Sequence, residues 1–144
     1  NKFFILSNTP NFGLAREVKL KLLEMTLSWA DCFNTLDFRH GPQAVVNKDS
    51  LIILFLSDKA VDYELNLAKE LKEKGANLLI FGDIVPKEFY NLTDNIIEVG
   101  EKISEWLRGI LFLPVIHFLA YYKAIKKGLN PDKPKNLTYF VEIR

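Results

Sequence analysis

The strongest strand signal in the sequence is a continuous apolar run, Leu51 to Leu56. Such a run is typical of a strand in a parallel sheet whose two faces are both covered. Shorter apolar runs predict four further strands, at Phe3–Ser7, Phe33–Phe38, Leu78–Phe81 and Ile96–Val99. Because helical patterns separate these runs, we expect parallel strands joined by helical crossovers, which give a doubly wound sheet.

The helical patterns lie between and after the predicted strands. They predict a long helix over Leu14–Asp31, a short one over Pro42–Val46, an amphipathic one over 60–74, and two C-terminal helices, around Ile103–Leu107 and over Pro114–Lys127. In sheets of this type, ligands bind beyond the carboxyl ends of the strands, near a switch in strand order. The loops after Leu6 and Leu56 are therefore the first places to search for a site.

Composition and charge exclude several classes of protein. The 144 residues amount to about one domain. Lys and Arg number 19 against 18 Asp and Glu, a formal net charge of +1, which argues against a general electrostatic grip on nucleic acid. One cysteine, Cys32, excludes a disulfide framework and a cysteine-built zinc site. The two histidines, His40 and His117, lie 77 residues apart, so the sequence has no His-x-x-x-His metal pair either.

The apolar stretches and the start of the chain give two further expectations. The longest stretch, Ile110 to Tyr122, is interrupted by Pro114 and falls short of the ~20 residues that a membrane-spanning helix needs. The chain begins with Asn1 and not with methionine, so we expect a piece of a longer protein. With a single cysteine and no leader sequence, a cytoplasmic location is expected and membrane association is not.

A polar stripe follows the first predicted helix between two apolar arcs. On a helical wheel, Glu17, Lys21 and Glu24 fall with Ser28 and Asp31 in one arc of about 80°. Apolar arcs on both sides predict a helix packed on two sides, with the stripe shielded from water. Burial raises the pKa of a carboxylate and a neighbouring cation lowers it, so Glu24 beside Lys21 is a candidate for proton transfer. An ordinary i, i+4 ion pair between Glu17 and Lys21 is the plainer interpretation.

Histidine and cysteine give fewer candidates. His40 precedes Gly41-Pro42, a turn in which an imidazole is accessible and titrates near neutral pH. The alternative is a turn histidine that caps the next helix. His117 lies inside an apolar helix and is expected to be a core residue. Cys32 has no paired base in view, so a buried thiol is favoured over a nucleophile.

Polar residues after two of the predicted strands offer hydroxyl groups to a phosphate. They are Ser7, Asn8 and Thr9 after the first strand, and Ser57 after the third. Turn formation is the commoner reason for these residue types in loops. The sequence has no G-x-G-x-x-G, Walker A or Gly-x-Ser-x-Gly motif.

Three motifs, in order along the chain, resemble the sugar isomerase (SIS) domain family. They are Glu17-x-x-x-Lys21-x-x-Glu24, His40-Gly41-Pro42 and the run from Asn130 to Leu137. The similarity is to the second of the two SIS domains in archaeal glucosamine-6-phosphate deaminases and in the isomerase half of glucosamine-6-phosphate synthase. It covers essentially the whole chain.

The resemblance implies a fold and an organisation. The fold is α/β with three layers, a five-stranded parallel sheet flanked by helices in the flavodoxin-like manner. Residues 1–144 would form one SIS domain, the second half of a two-domain protein. The partners implied are the N-terminal SIS domain of the same protein, a second subunit in a homodimer, and a sugar phosphate.

The resemblance also implies a role for each matching residue. Glu24 would be the base that moves a proton between C1 and C2 of an open-chain sugar phosphate, with Lys21 beside it. His40 would help to open the sugar ring in the site of the neighbouring subunit. Glu17 would contact or support the substrate, and Ser7, Asn8, Thr9 and Ser57 stay candidates for substrate binding. A carboxylate and an imidazole suit these proton transfers without a cofactor.

This chain departs from the family pattern in three places. The Ser-x-Ser-Gly-x-Thr phosphate loop of the first SIS domain is absent, and Ser7-Asn8-Thr9 replaces a Gly-x-Gly turn after the first strand. A lysine near the C-terminus, which handles the open-chain sugar, corresponds here to Tyr139. A deamination or amino-transfer route that needs that amine is therefore open to question, whereas simple aldose-ketose isomerisation is not.

The sequence accordingly predicts the C-terminal domain of a sugar-phosphate isomerase or amino-sugar-phosphate deaminase, of the glucosamine-6-phosphate or fructose-6-phosphate class. The isolated domain is expected to be inactive or incomplete. The alternative is a sugar-phosphate sensor, in which no bond is broken. A sensor does not need Glu24, Lys21 and His40 together, and this favours the enzyme. A third, weaker interpretation is a domain that has lost catalysis and supports only oligomerisation.

Overall fold

The computed structural model describes residues 2–138, and its sheet confirms the predicted fold class. The five strands are β1 (Lys2–Leu6), β2 (Ala30–Phe33), β3 (Ser50–Phe55), β4 (Asn77–Gly82) and β5 (Ile96–Glu98). All neighbouring strands are parallel, in the order β2-β1-β3-β4-β5. This is the flavodoxin-like order, in which the direction of winding reverses between β1 and β3.

Helices cover both faces of the sheet. They are α1 (Phe12–Thr26), α2 (Val61–Glu73), α3 (Lys87–Tyr90) and α4 (Glu105–Lys126), with two short 3₁₀ helices at Asp37–His40 and Pro42–Val45. Alternate residues of a strand face opposite sides, so Ile53 packs against the α1–α4 layer and Ile52 against the α2 layer. Apolar side chains on the central strands are almost fully buried, which explains why their sequence shows no alternation.

The first helix ends earlier than its apolar periodicity predicts. α1 stops at Thr26 because Leu27 adopts a left-handed φ of 48°, and its N–H donates back to the carbonyl of Leu23. Lys127, just after α4, donates to the carbonyls of Thr26 and Leu27 at the end of α1, at 2.6 and 3.2 Å, as basic groups do at helix C-termini. Asp31 therefore lies on β2 and not on the helical stripe. The strand predicted at 33–38 is likewise displaced, to Ala30–Phe33.

The two predicted C-terminal helices are one continuous helix, α4, so the expected break before Pro114 is wrong. Proline inside a helix costs about 3 kcal/mol. A buried face of Phe112, Ile116, Ala120 and Ala124 at i, i+4 spacing offsets that cost. Pro114 is exposed, where the carbonyl that has lost its donor faces water.

Among the described residues, one helix, α4, is long and apolar enough to cross a membrane by length and composition. The prediction that this region is too short to span a membrane is therefore wrong, because the helix continues through Pro114 and has 22 residues. One such helix is weak evidence for a span, since the core helices of other proteins pass the same test. The absence of membrane association stays a prediction.

The outer surfaces of α1 and α4 expose large apolar side chains. On α4, Trp106, Ile110, Phe118 and Tyr122 are each between 61% and 75% exposed. On α1, Leu20 and Leu23, which belong to one of the two apolar arcs beside the polar stripe, are exposed, so residues 2–138 do not cover that side of the helix. So many exposed large apolar side chains on two adjacent helices are typical of a surface that another protein layer covers.

Candidate active site: the carboxyl edge of the sheet and the polar stripe of α1

The loops after β1 and β3 meet at the switch point of the sheet, as the sequence predicts, and a buried carboxylate joins them. Glu64 in the first turn of α2 is fully buried. Its two oxygens accept hydrogen bonds from the Asn8 side-chain amide and from the Ser57 backbone N–H, both at 2.9 Å. The two loops are thereby held to one another through α2.

Burial raises the pKa of Glu64 to about 7, and the hydrogen bonds from Ser57 and Asn8 oppose that shift without cancelling it. The neighbouring Glu105, at the start of α4, adds like-charge repulsion. Burial also raises the pKa of Glu105. This edge of the sheet therefore holds two carboxyl groups with unusually high proton affinity.

A second network at this edge is centred on Arg108 of α4. Its guanidinium, 5% exposed, binds both oxygens of Asp58 at 2.5 and 3.0 Å. It also donates to Asp83 at 3.2 Å and to the carbonyl of Ile103 at 2.7 Å. The loops after β3 and β4 are thus fastened to the N-terminal part of α4. Asp58, beside Ser57, uses both carboxylate oxygens on Arg108.

The four loop residues predicted to bind substrate are placed at this same edge. Ser7 is fully buried, and its hydroxyl donates to the carbonyl of Asn8 at 3.1 Å. The Ser57 hydroxyl accepts from the Lys59 N–H at 3.3 Å, and Thr9 is exposed. Ser7, Asn8 and Ser57 already make hydrogen bonds inside the chain, whereas Thr9 is exposed. Phosphate binding by these four residues stays a prediction.

The polar stripe of α1 is not part of this edge. It lies on the surface of the helix layer that covers one face of the sheet. Glu17 and Lys21 form an i, i+4 ion pair with an O–N distance of 3.3 Å, and their side chains are 38% and 30% exposed. Glu24, one turn on, is half-buried, and no hydrogen bond to its carboxylate is found within residues 2–138. The structure thus brings Glu17 and Lys21 together as the plainer interpretation predicts. The stripe is not enclosed by this chain.

Asp31, predicted to complete the stripe, instead pairs with Lys19 at 2.6 Å. Burial raises the pKa of the neighbouring Cys32 thiol, in keeping with the expectation of an unreactive side chain. Within the described part of the chain, no group of three or more His, Cys, Asp or Glu residues is arranged to hold a metal ion.

His40 is exposed, at the end of the first 3₁₀ helix. The loop that carries it is anchored by Phe38, which is fully buried on the α2 side of the sheet, and by an ion pair between Arg39 and Glu70 of α2. The stripe of α1 belongs to the opposite face. One copy of the chain therefore does not bring His40 and Glu24 together.

The expectation that His117 is a core residue is wrong. The helix continues through Pro114, and its rotation places His117 on an exposed part of α4 that faces α1. There it borders a cleft shared with Lys21, Met25, Phe118 and Tyr121.

Two residues of this edge were not singled out from the sequence, although each left a signal. Glu64 shares the buried stripe of α2 with Leu67, Ala68 and Leu71, so a carboxylate occupies an apolar position. Arg108 stands four residues before Phe112 on the buried face of α4. A charged residue in register with a buried stripe indicates a satisfied buried polar group.

No family profile matches the chain. The isomerizing glutamine–fructose-6-phosphate aminotransferase of Buchnera aphidicola is 33% identical over 150 aligned positions, which take in 99% of this chain and 23% of that protein. The chain therefore spans about a quarter of the length of the curated relatives that it matches.

Two solved structures share the fold at appreciable identity. Glucosamine-6-phosphate deaminase from Thermotoga maritima is 31% identical with a TM-score of 0.74, over 95% of this chain and 39% of that one. The C-terminal domain of glucosamine-fructose-6-phosphate aminotransferase from Francisella tularensis is 26% identical with a TM-score of 0.77, over 92% and 37% respectively. In both, a large part of the solved chain has no counterpart in these 144 residues.

Proposed function

Because the chain is a domain of the sugar isomerase (SIS) family, we propose that it is the C-terminal domain of a sugar-phosphate isomerase or amino-sugar-phosphate deaminase. The substrate belongs to the glucosamine-6-phosphate or fructose-6-phosphate class. The domain contributes Glu24, Lys21 and His40 to proton transfer between C1 and C2 of the open-chain sugar. A preceding SIS domain contributes the phosphate-binding loop, and no cofactor takes part.

The observation that carries this proposal is the setting of the α1 stripe. Glu17, Lys21 and Glu24 form a polar strip beside the exposed apolar side chains of Leu20 and Leu23 and of α4. A partner that covers the apolar surface also removes water from the strip. Loss of water is the condition under which a carboxylate exchanges protons with carbon near neutral pH.

The chemistry divides among the three residues as follows. The Glu24 carboxylate takes the proton from C2 of the open-chain aldose and returns it to C1, or the reverse for a ketose. The Lys21 ammonium stabilises the negative charge that develops on the C1 oxygen, and the proton released by the C2 hydroxyl passes to that oxygen as the ketose forms. The imidazole of His40 moves the proton that ring opening requires. Since His40 and Glu24 lie on opposite faces of the sheet, the histidine acts in a second copy of the chain.

The same proposal includes a two-fold assembly and a cytoplasmic location. A contact in which each copy lends His40 to the other is isologous, as homodimer interfaces are. A single half-buried cysteine, Cys32, suits a reducing compartment. Tyr139, which bears on the choice between isomerisation and deamination, lies outside the described residues.

Mixed dimers of the full-length protein test the proposal. Glu24→Gln and His40→Asn are each expected to lower kcat by about 10²–10⁴-fold with the fold intact. When the two variants are mixed and allowed to exchange subunits, half of the dimers combine them, and one of the two sites in each such dimer has both wild-type groups. About a quarter of the wild-type activity should return. Circular dichroism and melting temperature serve as controls for folding.

Each other result contradicts one part of the proposal. An active Glu24→Gln protein contradicts the assignment of the base. Two inactive variants that do not complement contradict the sharing of His40.

A sugar-phosphate sensor is the second candidate, favoured by the existing pairing of Lys21 with Glu17. Saturable binding of fructose 6-phosphate or glucosamine 6-phosphate by the wild type, with neither ketose nor ammonia released, would establish the sensor.

A further inference from the structure

A cleft of ≈370 Å³ lies between α1 and α4, directly beside the stripe. Lys21 and Met25 form its α1 wall, and His117, Phe118 and Tyr121 form its α4 wall. Its volume falls within the range of small-ligand sites. The cleft therefore adds residues of α4 to the site, whereas the motif from Glu17 to Glu24 lies on α1 alone.

The α4 wall of the cleft is ordered by its aromatic rings. Phe118 stacks on Tyr122 with ring centroids 6.3 Å apart, and Tyr121 meets Tyr122 edge-on at 5.3 Å. His117 and Tyr121 are four residues apart and so share one side of the helix. The imidazole and the phenol thus stand next to each other on a supported surface.

The polar groups of the cleft point to its occupant. Mostly apolar walls with three polar ends, on Lys21, His117 and Tyr121, match the C–H faces and hydroxyl groups of a sugar. The positive charge of Lys21 favours an anionic ligand, and a sugar phosphate is one even when its phosphate group is held by the preceding domain. A purely apolar occupant would remove water from Lys21 and His117 without replacing its hydrogen bonds, which costs free energy.

His117 is free to take such a ligand. Within residues 2–138 its imidazole makes no hydrogen bond and no ion pair, and the residue is exposed. Lys21 keeps its Nζ atom 3.3 Å from Glu17, one helical turn towards the N-terminus of α1. The part of the cleft between Met25 and His117 is therefore left to the ligand.

We propose that His117 is a further substrate-contacting residue, which hydrogen-bonds a hydroxyl group of the sugar phosphate in the cleft beside Lys21. This inference rests on the proposed function, since it places the same substrate. It adds a second histidine to the site, held by α4 of the copy that supplies Glu24. His40, by contrast, comes from the other copy.

Binding to the full-length protein tests this inference apart from catalysis. In a Glu24→Gln background, which slows turnover by about 10²–10⁴-fold, the Kd of fructose 6-phosphate and of glucosamine 6-phosphate is measured by calorimetry. His117→Leu should weaken binding about five- to tenfold, the effect of losing one hydrogen bond. His117→Gln, which keeps a hydrogen-bonding group, should stay within about twofold of the background. Lys126→Leu, an exposed site on α4 outside the cleft, is the matched control and should leave Kd unchanged.

The outcomes separate the two proposals. A folded Glu24→Gln protein that binds neither sugar phosphate contradicts the proposed function itself. If it binds both and His117→Leu leaves Kd unchanged, the role of His117 is contradicted. A change in subunit assembly alone, seen by analytical ultracentrifugation, would show that an apolar side chain of a neighbouring domain fills the cleft, and this also overturns the inference. Should His117→Leu fail to fold, a weakening by His117→Asn that His117→Gln does not share supports it, and equal Kd values for the two overturn it.

Discussion

The carboxyl edge of the sheet and the outer stripe of α1 use charged residues in opposite ways. At the sheet edge, Glu64 and Arg108 are buried and are held by groups from three other segments of the chain. On α1, Glu17 and Lys21 are about one-third exposed and share one ion pair, and Glu24 is half-buried beside them. The first region is complete within the chain, whereas the second is open.

The difference separates stability from function. A buried polar group without partners costs free energy, so the edge residues must be satisfied for the domain to fold. Surface ion pairs contribute little, so folding does not explain why three charged residues lie in one strip between apolar side chains. At the switch point, where such sheets bind ligands, the polar side chains hydrogen-bond across the loops and fasten them. The polar stripe of α1, which is open to solvent, is the better candidate for the catalytic site.

The largest difference is expected when the central cation of each region is removed. Arg108→Leu leaves Asp83, which is 6% exposed, with its charge buried and unpaired. The free energy of unfolding should fall by about 3–5 kcal/mol. Lys21→Leu should lower it by less than about 1 kcal/mol, since its partner Glu17 stays in contact with water. Urea unfolding of each variant measures both values.

A matched rescue sharpens that contrast. Adding Asp83→Asn and Asp58→Asn to Arg108→Leu removes the unpaired charges and should recover more than half of the lost stability. If Arg108→Leu is as mild as Lys21→Leu, the edge network is not what holds the loops after β3 and β4.

A second, somewhat smaller effect is expected on the pH dependence of stability, and it comes from Glu64 at the sheet edge. The pKa of Glu64 is about 7 in the folded chain, against 4.5 for an ordinary glutamate. Between these values the folded protein keeps a proton that the unfolded chain has released, so stability falls as the pH rises from about 4.5 to about 7. The loss amounts to about 3 kcal/mol. Denaturant midpoints measured from pH 5 to pH 8 report this slope.

Glu64→Gln should remove most of the slope, whatever it does to the stability at any one pH. The part that remains belongs to Glu105, whose pKa is also raised by burial. Glu73→Gln, an exposed substitution near the end of the same helix, should leave the slope as it is in the wild type. A slope that survives Glu64→Gln would place the titrating proton on another group.

Much of the fold follows from the sequence, because buried parallel strands are continuous apolar runs and helices bury one stripe. β3 and α2 lie within a residue or two of their predicted bounds. Periodicity failed where apolar residues continue past an element: Trp29 and Ala30 extend the pattern of α1, although the chain turns at Leu27 and enters β2. It failed also at Pro114, where a well-packed face outweighs the local cost of proline.

The candidate site likewise has contacts that the sequence predicts and contacts that it does not. The i, i+4 contact of Glu17 with Lys21 is local and was predicted from spacing alone. The contacts of Glu64 with Asn8 and of Arg108 with Asp58 join residues 56 and 50 positions apart. Such pairs depend on strand order, which periodicity does not contain. The roles of Glu24 and His40 rest on the family resemblance, and they stay predictions.

The smallest effect on stability is expected at Glu17. It tests most directly whether the polar stripe of α1, unlike the sheet edge, serves function and not folding. Glu17→Gln breaks a pair with water on both sides, so the free energy of unfolding should fall by only about 0.2–0.5 kcal/mol, and by less in high salt. On the proposed function, the same change in the full-length protein should lower kcat/KM about tenfold, because Lys21 would lose its nearest anion in a site from which a covering domain removes water. Glu73→Gln should change neither quantity. A loss of stability above about 1 kcal/mol with kcat/KM unchanged would mean that the stripe, like the sheet edge, serves the fold.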